Sequence, residues 1–377
     1  DAGADYRLLE VEIGRTTVDA SRARVEVSAD DEDLLAALVA ELHIHGANRM
    51  ATGDAVTVFA DTDGVLPEGF YSTTNLATDV RIHGRWVTVD NPEMDCGLVV
   101  RPDGALRTIP MHRVRVGDAI VVGADGVRVR PMSRPRGPSP FEFMNSDVSS
   151  EKPKELLVAQ VAERMRLARA AGGKILAVCG PAVVHTGAGP DLARLVRGGW
   201  VDILFAGNGF ATHDIESNVL GTSLGVPLVN AAPAEGAHSN HLRVINEVRR
   251  RGSIAAAVAD GFIPGGVLYE CVRLGIPYVL AGSVRDDGPL PDVMTDMVEA
   301  ADAMRELIPG VAVALMLAST LHAIATGNIL PAGVETFCVD INQAVVTKLA
   351  DRGSHQALGI VTDAGLFLHS LADHLVP

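Results

Sequence analysis

Positive charge, paired cysteines, aromatic side chains and long apolar runs are all scarce in this chain of 377 residues, and each scarcity removes a class of protein. Lys and Arg number 32 against 47 Asp and Glu, a formal charge of −15. Counterion release from a phosphate backbone therefore has little to act through, and no nucleic-acid partner is expected. The one dense basic run, Arg249-Arg250-Arg251, closes a helix pattern, where cations complement the helix dipole. The 4 cysteines, Cys96, Cys179, Cys271 and Cys338, lie far apart with no C-x-x-C pair. That spacing excludes a disulfide frame or zinc ribbon and fits small, reduced, buried residues. No window reaches the length of a membrane span, and DAGADYRLLE is not a basic-then-apolar leader. The expectation is a soluble, cytoplasmic protein without a membrane partner.

What is abundant points to α/β architecture. Hydrophobic residues make up 47% of the chain although aromatics are only 4%, and there are 38 glycines. Val, Ala and Leu interiors with frequent short turns suit strand–helix alternation better than an all-β sandwich, and the length predicts two domains. Residues 1–135 read as a β-rich α+β domain, with strands at Leu8 to Ile13, Ala55 to Phe59, Val80 to Val89, Gly97 to Val100 and Ala119 to Val122, and a helix over Asp31 to Leu42. The proline-rich PMSRPRGPSP, Pro131 to Pro140, can hold neither a helix nor a central strand and is the expected connection.

Residues 136–377 read as a doubly wound parallel sheet. Lys154 to Arg169 is helical. Strands are expected at Lys174 to Val178, Val201 to Phe205, Pro227 to Val229, Pro277 to Leu280, Val311 to Leu317, Glu335 to Val339 and Leu358 to Val361. Helices include Asn240 to Arg251, Val267 to Leu274, Asp292 to Leu307 and Asn342 to Ala350. Ligands of such sheets bind beyond the carboxyl ends of the strands. Those ends carry Cys179-Gly180-Pro181 with His185-Thr186-Gly187, Gly207-Asn208-Gly209, Gly282-Ser283 with Arg285-Asp286-Asp287, Ser319-Thr320 with His322, Asp340-Ile341-Asn342, and Thr362-Asp363. Their convergence on one edge predicts a shared cleft.

The stretch VDILFAGNGFATHDIESNVLG carries the strongest single signal. A glycine turn between strand and helix lets phosphates approach bare amides, although Thr212 replaces the third glycine of the usual dinucleotide fingerprint. His213, Asp214 and Glu216 open the helix. They serve either as a base, an orienting carboxylate and a docking group for a cation, or as stabilisers of the helix start. Asp340 can bind both hydroxyls of a ribose, which would favour NAD over NADP, or cap the helix from Asn342; the pattern leaves both open. His238 and His241 have helical spacing but no third ligand nearby, so no metal is expected. Cys271, mid-helix among apolar residues, reads as a buried thiol.

Several long segments resemble a known family. FEFMNSDVSSEKPKE, AGNGFATHDIESNVLGTSLG, GSIAAAVADGFIPGGVLYECV, VLAGSVRDDGPLPDV, NILPAGVETFCVDINQAVVTKLADRGS and GIVTDAGLFL are similar to the archaeal-type ornithine cyclodeaminases. That enzyme type also forms the C-terminal half of cyanobacterial arginine-guanidine-removing enzymes. The first domain, with NPEMDCGLVV, resembles the LOR/SDH conserved region. The resemblance implies a second domain of deoxyhypusine-synthase-like type, tightly held NAD, and a homo-oligomer, either dimer or tetramer. The guanidine-removing module has no counterpart in these residues, so arginine hydrolysis is not expected.

The implied reaction is L-ornithine to L-proline and ammonia, with NAD used and regenerated within a turnover. Alternatives are an NAD-dependent amino-acid dehydrogenase, a cyclodeaminase of lysine or another diamino acid, and a nucleotide-sensing binding module. For the implied chemistry the expected roles are Asp214 or His213 for proton transfer, Arg285 for the substrate carboxylate, and Glu216 or Asp286 for its positive tail. Gly207, Asn208, Gly209, Ser283, Asp340, Ile341 and Asn342 are the expected cofactor contacts, with His322 and Asp363 as further pocket residues.

Overall fold

A run such as KILAVC or VAVALML has no polar alternation, and the structure shows why: both of its faces are covered. The computed structural model describes residues 5–14, 21–31, 34, 35, 38, 39, 42, 47, 50, 53–130, 148, 149, 154–223, 226, 227, 239–286, 288–345, 348 and 357–376. These divide into two compact units, residues 1–145 with 328–333, and residues 146–327 with 334–377. The proline-rich connection and His238 lie outside the described residues. So does most of Asp31 to Leu42, where residues 34, 35, 38, 39 and 42 are helical.

The first unit is antiparallel. β1 (Asp5–Glu12) pairs with β2 (Arg22–Ser28) alone. β3 (Val56–Phe59), β6 (Gly97–Val100), β7 (Leu106–Ile109) and β8 (Ala119–Val122) form a four-stranded sheet in the order β3-β8-β6-β7. β4 (Ala77–Ile82), β5 (Arg85–Thr88) and β9 (Val127–Arg130) form a three-stranded one. The expected single strand Val80 to Val89 is two strands, because a turn at His83-Gly84, with φ 49 and 75, folds it back on itself. Successive residues of a strand point to opposite faces. Leu98 and Val121 accordingly enter one apolar cluster while Val99 and Ile120 enter another, which explains the unbroken GLVV and AIVV.

The second unit is a parallel sheet of 8 strands. Its strands are β10 (Val148–Ser149), β11 (Lys174–Cys179), β12 (Ile203–Gly207), β15 (Tyr278–Ala281), β16 (Val293–Met294), β17 (Val311–Leu317), β18 (Glu335–Asp340) and β19 (Ala357–Val361), in the order β10-β19-β18-β17-β11-β12-β15-β16. From β11 the chain steps outward through β12 and β15, then returns to place β17 on the other side of β11. The switch point therefore lies between β11 and β17. Strands β13 (Thr222–Ser223) and β14 (Val226–Pro227) form a separate antiparallel ribbon. The expected parallel strand at Pro227 to Val229 is thus corrected at its described end: Pro227 has no N–H for a central ladder.

The α-helices among the described residues of this unit include α1 (Lys154–Ala170), α2 (Ala182–His185), α3 (Gly189–Arg197), α4 (Asn208–Leu220), α5 (Asn240–Arg251), α6 (Ile254–Ala259), α7 (Val267–Leu274), α8 (Met297–Leu307), α9 (Leu321–Ile329) and α10 (Ala364–Leu375). The helix expected from Asp292 begins only at Met297, because Asp296 caps it by accepting from the N–H groups of Val298 and Glu299. Residues 292–295 instead lead through the edge strand β16. Phe205, Phe210 and Phe367 are fully buried in this core. No helix among the described residues is long and apolar enough to cross a membrane.

Candidate active site

Strand β12 delivers the chain to the site. Gly207 is extended at φ −109 and ψ 173, and α4 starts at Asn208 without a side-chain cap. Its first amides are the donors that an anion seeks at a helix start. Gly207 is also demanded by a neighbour, since a Cβ there would stand 2.9 Å from Cε1 of His322 on α9. Burial holds the His322 imidazole below the ordinary histidine pKa, with the charge of Asp286 opposing that shift. Gly209 has room to spare, its nearest neighbour Pro181 lying 3.8 Å from a notional Cβ. Asn208 turns its side chain inward, where Oδ1 accepts from the Leu290 N–H at 3.0 Å.

The polar face of α4 is buried: Asp214 and Glu216 are 0% exposed and His213 8%. A buried carboxylate must be hydrogen-bonded to be tolerated, and the two achieve this differently. Asp214 Oδ1 accepts from the Val267 N–H at 3.0 Å and Oδ2 from the Leu268 N–H at 2.9 Å, so it anchors the start of α7. Gly266 permits this approach. Its φ is +109, and a Cβ would meet Asn218 at 2.5 Å and both Asp214 oxygens at 3.0 Å. Burial pushes the Asp214 pKa up to about 6 while the two backbone bonds pull it down.

Glu216 faces the imidazole. Its Oε2 lies 2.9 Å from His213 Nδ1, and its Oε1 accepts from Thr222 Oγ1 at 2.7 Å, which in turn accepts from Asn240 Nδ2 at 3.0 Å. Beside it, His185 Nδ1 is 2.6 Å from Ser223 Oγ. The His185 and His213 rings are 4.8 Å apart and His241 is 6.4 Å beyond His213. His241 Nδ1 is buried with no partner among the described residues. Thr222, Ser223 and Asn240 were not singled out from sequence. Their available signal was polarity just past the helix stop Gly221 and at the next helix start, which reads equally as ordinary boundary chemistry.

The remaining strand ends are built from local turns. After β15, Asp286 Oδ2 accepts from the Ser283 N–H at 2.8 Å and Ser283 Oγ from the Arg285 N–H at 3.1 Å. Arg285 is exposed. At the end of β18, Asp340 Oδ1 accepts from the Asn342 N–H at 2.8 Å, while Oδ2 has no hydrogen bond among the described residues. Asn342 Oδ1 closes onto the Ala344 N–H at 3.0 Å, and Ile341 is exposed. Asp363 caps α10 by accepting from the Leu366 N–H at 3.0 Å. The expected thiol Cys271 is buried, its pKa pushed up to about 12. No cluster among the described residues has the ligands for a metal ion.

A dinucleotide asks for an anion-binding helix start, a ribose acceptor and a crevice at a strand switch. The uncapped start of α4, the spare oxygen of Asp340 and the divergence of β11 from β17 fit those requirements.

Comparison with known proteins places residues 159–371 in the family described as the C-terminal Rossmann fold of ArgZ-like arginine dihydrolases. Residues 77–158 match the preceding region of the same proteins, and residues 1–76 the LOR/SDH bifunctional enzyme conserved region. The ornithine cyclodeaminase of Methanocaldococcus jannaschii is 51% identical over 100% of this chain and 90% of its own length. That of Methanopyrus kandleri is 49% identical over 100% and 91%. Among solved structures, a LOR/SDH protein from Methanococcus maripaludis has a TM-score of 0.81 at 46% identity, covering 86% of this chain and 98% of its own. The ternary complex of AgrE with ornithine and NAD+ has a TM-score of 0.58 at 42% identity, covering 100% of this chain and 54% of AgrE.

Proposed function

We propose, since the chain belongs to the archaeal-type ornithine cyclodeaminases of the LOR/SDH family, homologous to the C-terminal part of ArgZ and AgrE, that it converts L-ornithine to L-proline and ammonia. The observation that carries this is the match, over the whole chain at about half identity, to enzymes of that name, joined to a homologue solved with ornithine and NAD+. NAD, when bound, supplies a hydride acceptor that becomes the donor later in the same turnover. The start of α4 at Asn208 and Gly209, with Ser283 nearby in the sequence of strand ends, would hold its phosphates. Asp340, Ile341 and Asn342 would meet a ribose, and His322 and Asp363 would line the pocket.

The proton chemistry is assigned to His213, with Glu216 holding its Nδ1 side as an orienting carboxylate holds a catalytic imidazole. Glu216 also offers a carboxyl group beside His213 toward which an ammonium would be drawn. Asp286 is the alternative, although one of its oxygens closes the Ser283 turn. Arg285, which is exposed, would take the substrate carboxylate. Asp214 supports α7 in this reading, since both of its oxygens are occupied by backbone. Holding both ends of a five-carbon diamino acid would bring the δ-nitrogen over the α-carbon, and the proximity favours closure of the five-membered ring.

The LOR/SDH-type half, residues 1–135, the deoxyhypusine-synthase-like character of residues 136–377, cytoplasmic residence and a dimer or tetramer complete the proposal, supported by the family resemblance. The test is product analysis. Ornithine with NAD at a small fraction of its concentration should give proline and ammonia in equal amounts. Absence of proline, or stoichiometric NADH, would overturn the assignment.

A further inference from the structure

Ornithine carries two ammonium groups and a carboxylate, and the products are zwitterionic proline and ammonium, so the reaction neither takes up nor releases a net proton. Within the turnover, however, the α-ammonium must lose a proton before its carbon can be oxidised. The δ-ammonium must lose one before its lone pair can form the new C–N bond. Both protons return, one to the departing ammonia and one to the ring nitrogen of proline. A single buried imidazole can hold only one of them. His213 is 8% exposed, with Nδ1 committed to Glu216, so it needs an outlet.

We propose that His185 is that outlet, a relay carrying protons in both directions between His213 and bulk water. The proposal rests on the cyclodeaminase reading above. His185 ends α2, directly beyond the carboxyl end of β11, and is exposed. Its ring centre lies 4.8 Å from that of His213, tilted by 59°, which brings ring nitrogens within direct or one-water reach. Ser223 holds Nδ1 at 2.6 Å and so fixes the ring's orientation while leaving the other nitrogen for transfer. The charged and titratable groups that face it are His213 and Glu216 on α4, with His241 on the far side of His213. Asp363, at the start of the α10 helix, caps its own helix. Partial burial, and then the neighbouring His213, lower the His185 pKa below the ordinary histidine value. The ring therefore passes a proton on instead of storing it. His185 acts through His213 and is a positioning and relay group; it need not touch substrate.

The test replaces His185 with Gln, which keeps a hydrogen-bonding partner for Ser223 but cannot titrate. In dilute, non-imidazole buffer kcat should fall about tenfold or more. The acid limb of the kcat–pH profile should lose its His185 component, and added imidazole should restore rate to the variant but not to the parent. Independently of turnover, the His185 ring signal, followed by NMR in the protein without ornithine, should titrate at higher pH in His213→Gln than in the parent. A variant with parental kcat, an unchanged pH profile and no response to imidazole overturns the relay. So does a His185 titration indifferent to His213→Gln. If His185→Gln does not fold, Ser223→Ala, which frees the ring without removing it, should lower kcat less while leaving KM unchanged, and full parental kcat there overturns the proposal. A parent that makes no proline refutes the cyclodeaminase reading instead, and the NMR titration still decides whether the two rings are coupled.

Discussion

Replacing Asp214 with Asn separates an architectural carboxylate from a catalytic one at the centre of the site. The native carboxylate accepts from two buried N–H groups, Val267 and Leu268. Asn keeps one acceptor and turns an NH2 toward the other N–H, which costs about 1–3 kcal/mol for the unmet buried donor. Against this stands the charge. Burial raises the Asp214 pKa from 3.8 to about 6. Between those values the unfolded chain has lost its proton while the native state keeps it, so the native state binds more protons and stability falls as pH rises. The parent gives up about 3 kcal/mol across that window from this one group, and the variant, which cannot ionise, does not. Asp214→Asn should therefore be less stable than the parent at pH 4 and close to it at pH 7. Melting temperatures over a pH series, with proline formation at neutral pH, read both consequences. Turnover within about tenfold of the parent is expected; a loss of a hundredfold or more with no change in the pH dependence of melting would return Asp214 to the proton-transfer role and refute the reasoning.

Asp340→Ala should weaken NAD about tenfold to a hundredfold and narrow the preference for NAD over NADP, read by calorimetry, since the spare Oδ2 is the proposed ribose acceptor. Equal parental affinities for the two cofactors would remove that assignment. Gly207→Ala places a methyl 2.9 Å from His322 and should lower both melting temperature, by a cost of about 1–3 kcal/mol, and NAD affinity; a variant unchanged in both would show that His322 yields freely. Arg285→Ala should raise KM for ornithine about tenfold or more with melting unchanged, because the side chain is exposed. Steady-state kinetics at saturating NAD would show it, and an unchanged KM would reassign the substrate carboxylate.

Where one periodicity or one run dominates, the sequence was sufficient. Ala119–Val122, Asn240–Arg251 and Val267–Leu274 have the boundaries expected of them, because each is framed by glycine or charge and buried in the pattern its residues announce. The expected strand Val80 to Val89 concealed a hairpin, since two strands joined by a two-residue turn keep one apolar rhythm. Parallel pairing was legible from the alternation of strands and helices, whereas the strand order and the switch point rest on long-range register, which no local window contains. In the site, His213, Asp214 and Glu216 were visible as a polar cluster at a helix start. Their hydrogen-bond partners were not: Val267 and Leu268 approach one carboxylate while Thr222 and His213 approach the other. The contacts of Asp214, across some fifty residues of sequence, leave no mark on either segment alone. Asp340 illustrates the opposite case: Oδ1 closes the turn onto Asn342, which was one of the two readings open from sequence, while Oδ2 has no hydrogen bond among the described residues and is the atom proposed above for a ribose.

In the proposed turnover the hydrogen removed from the α-carbon of ornithine returns to the same position in proline. Ornithine carrying deuterium at the α-carbon, turned over with a catalytic amount of unlabelled NAD in ordinary water, tests it in one mass spectrum. If the hydride makes that round trip, proline retains the deuterium at its α-carbon, with no accumulation of reduced cofactor. Proline carrying hydrogen there, or label collected in the free NADH pool, would contradict it.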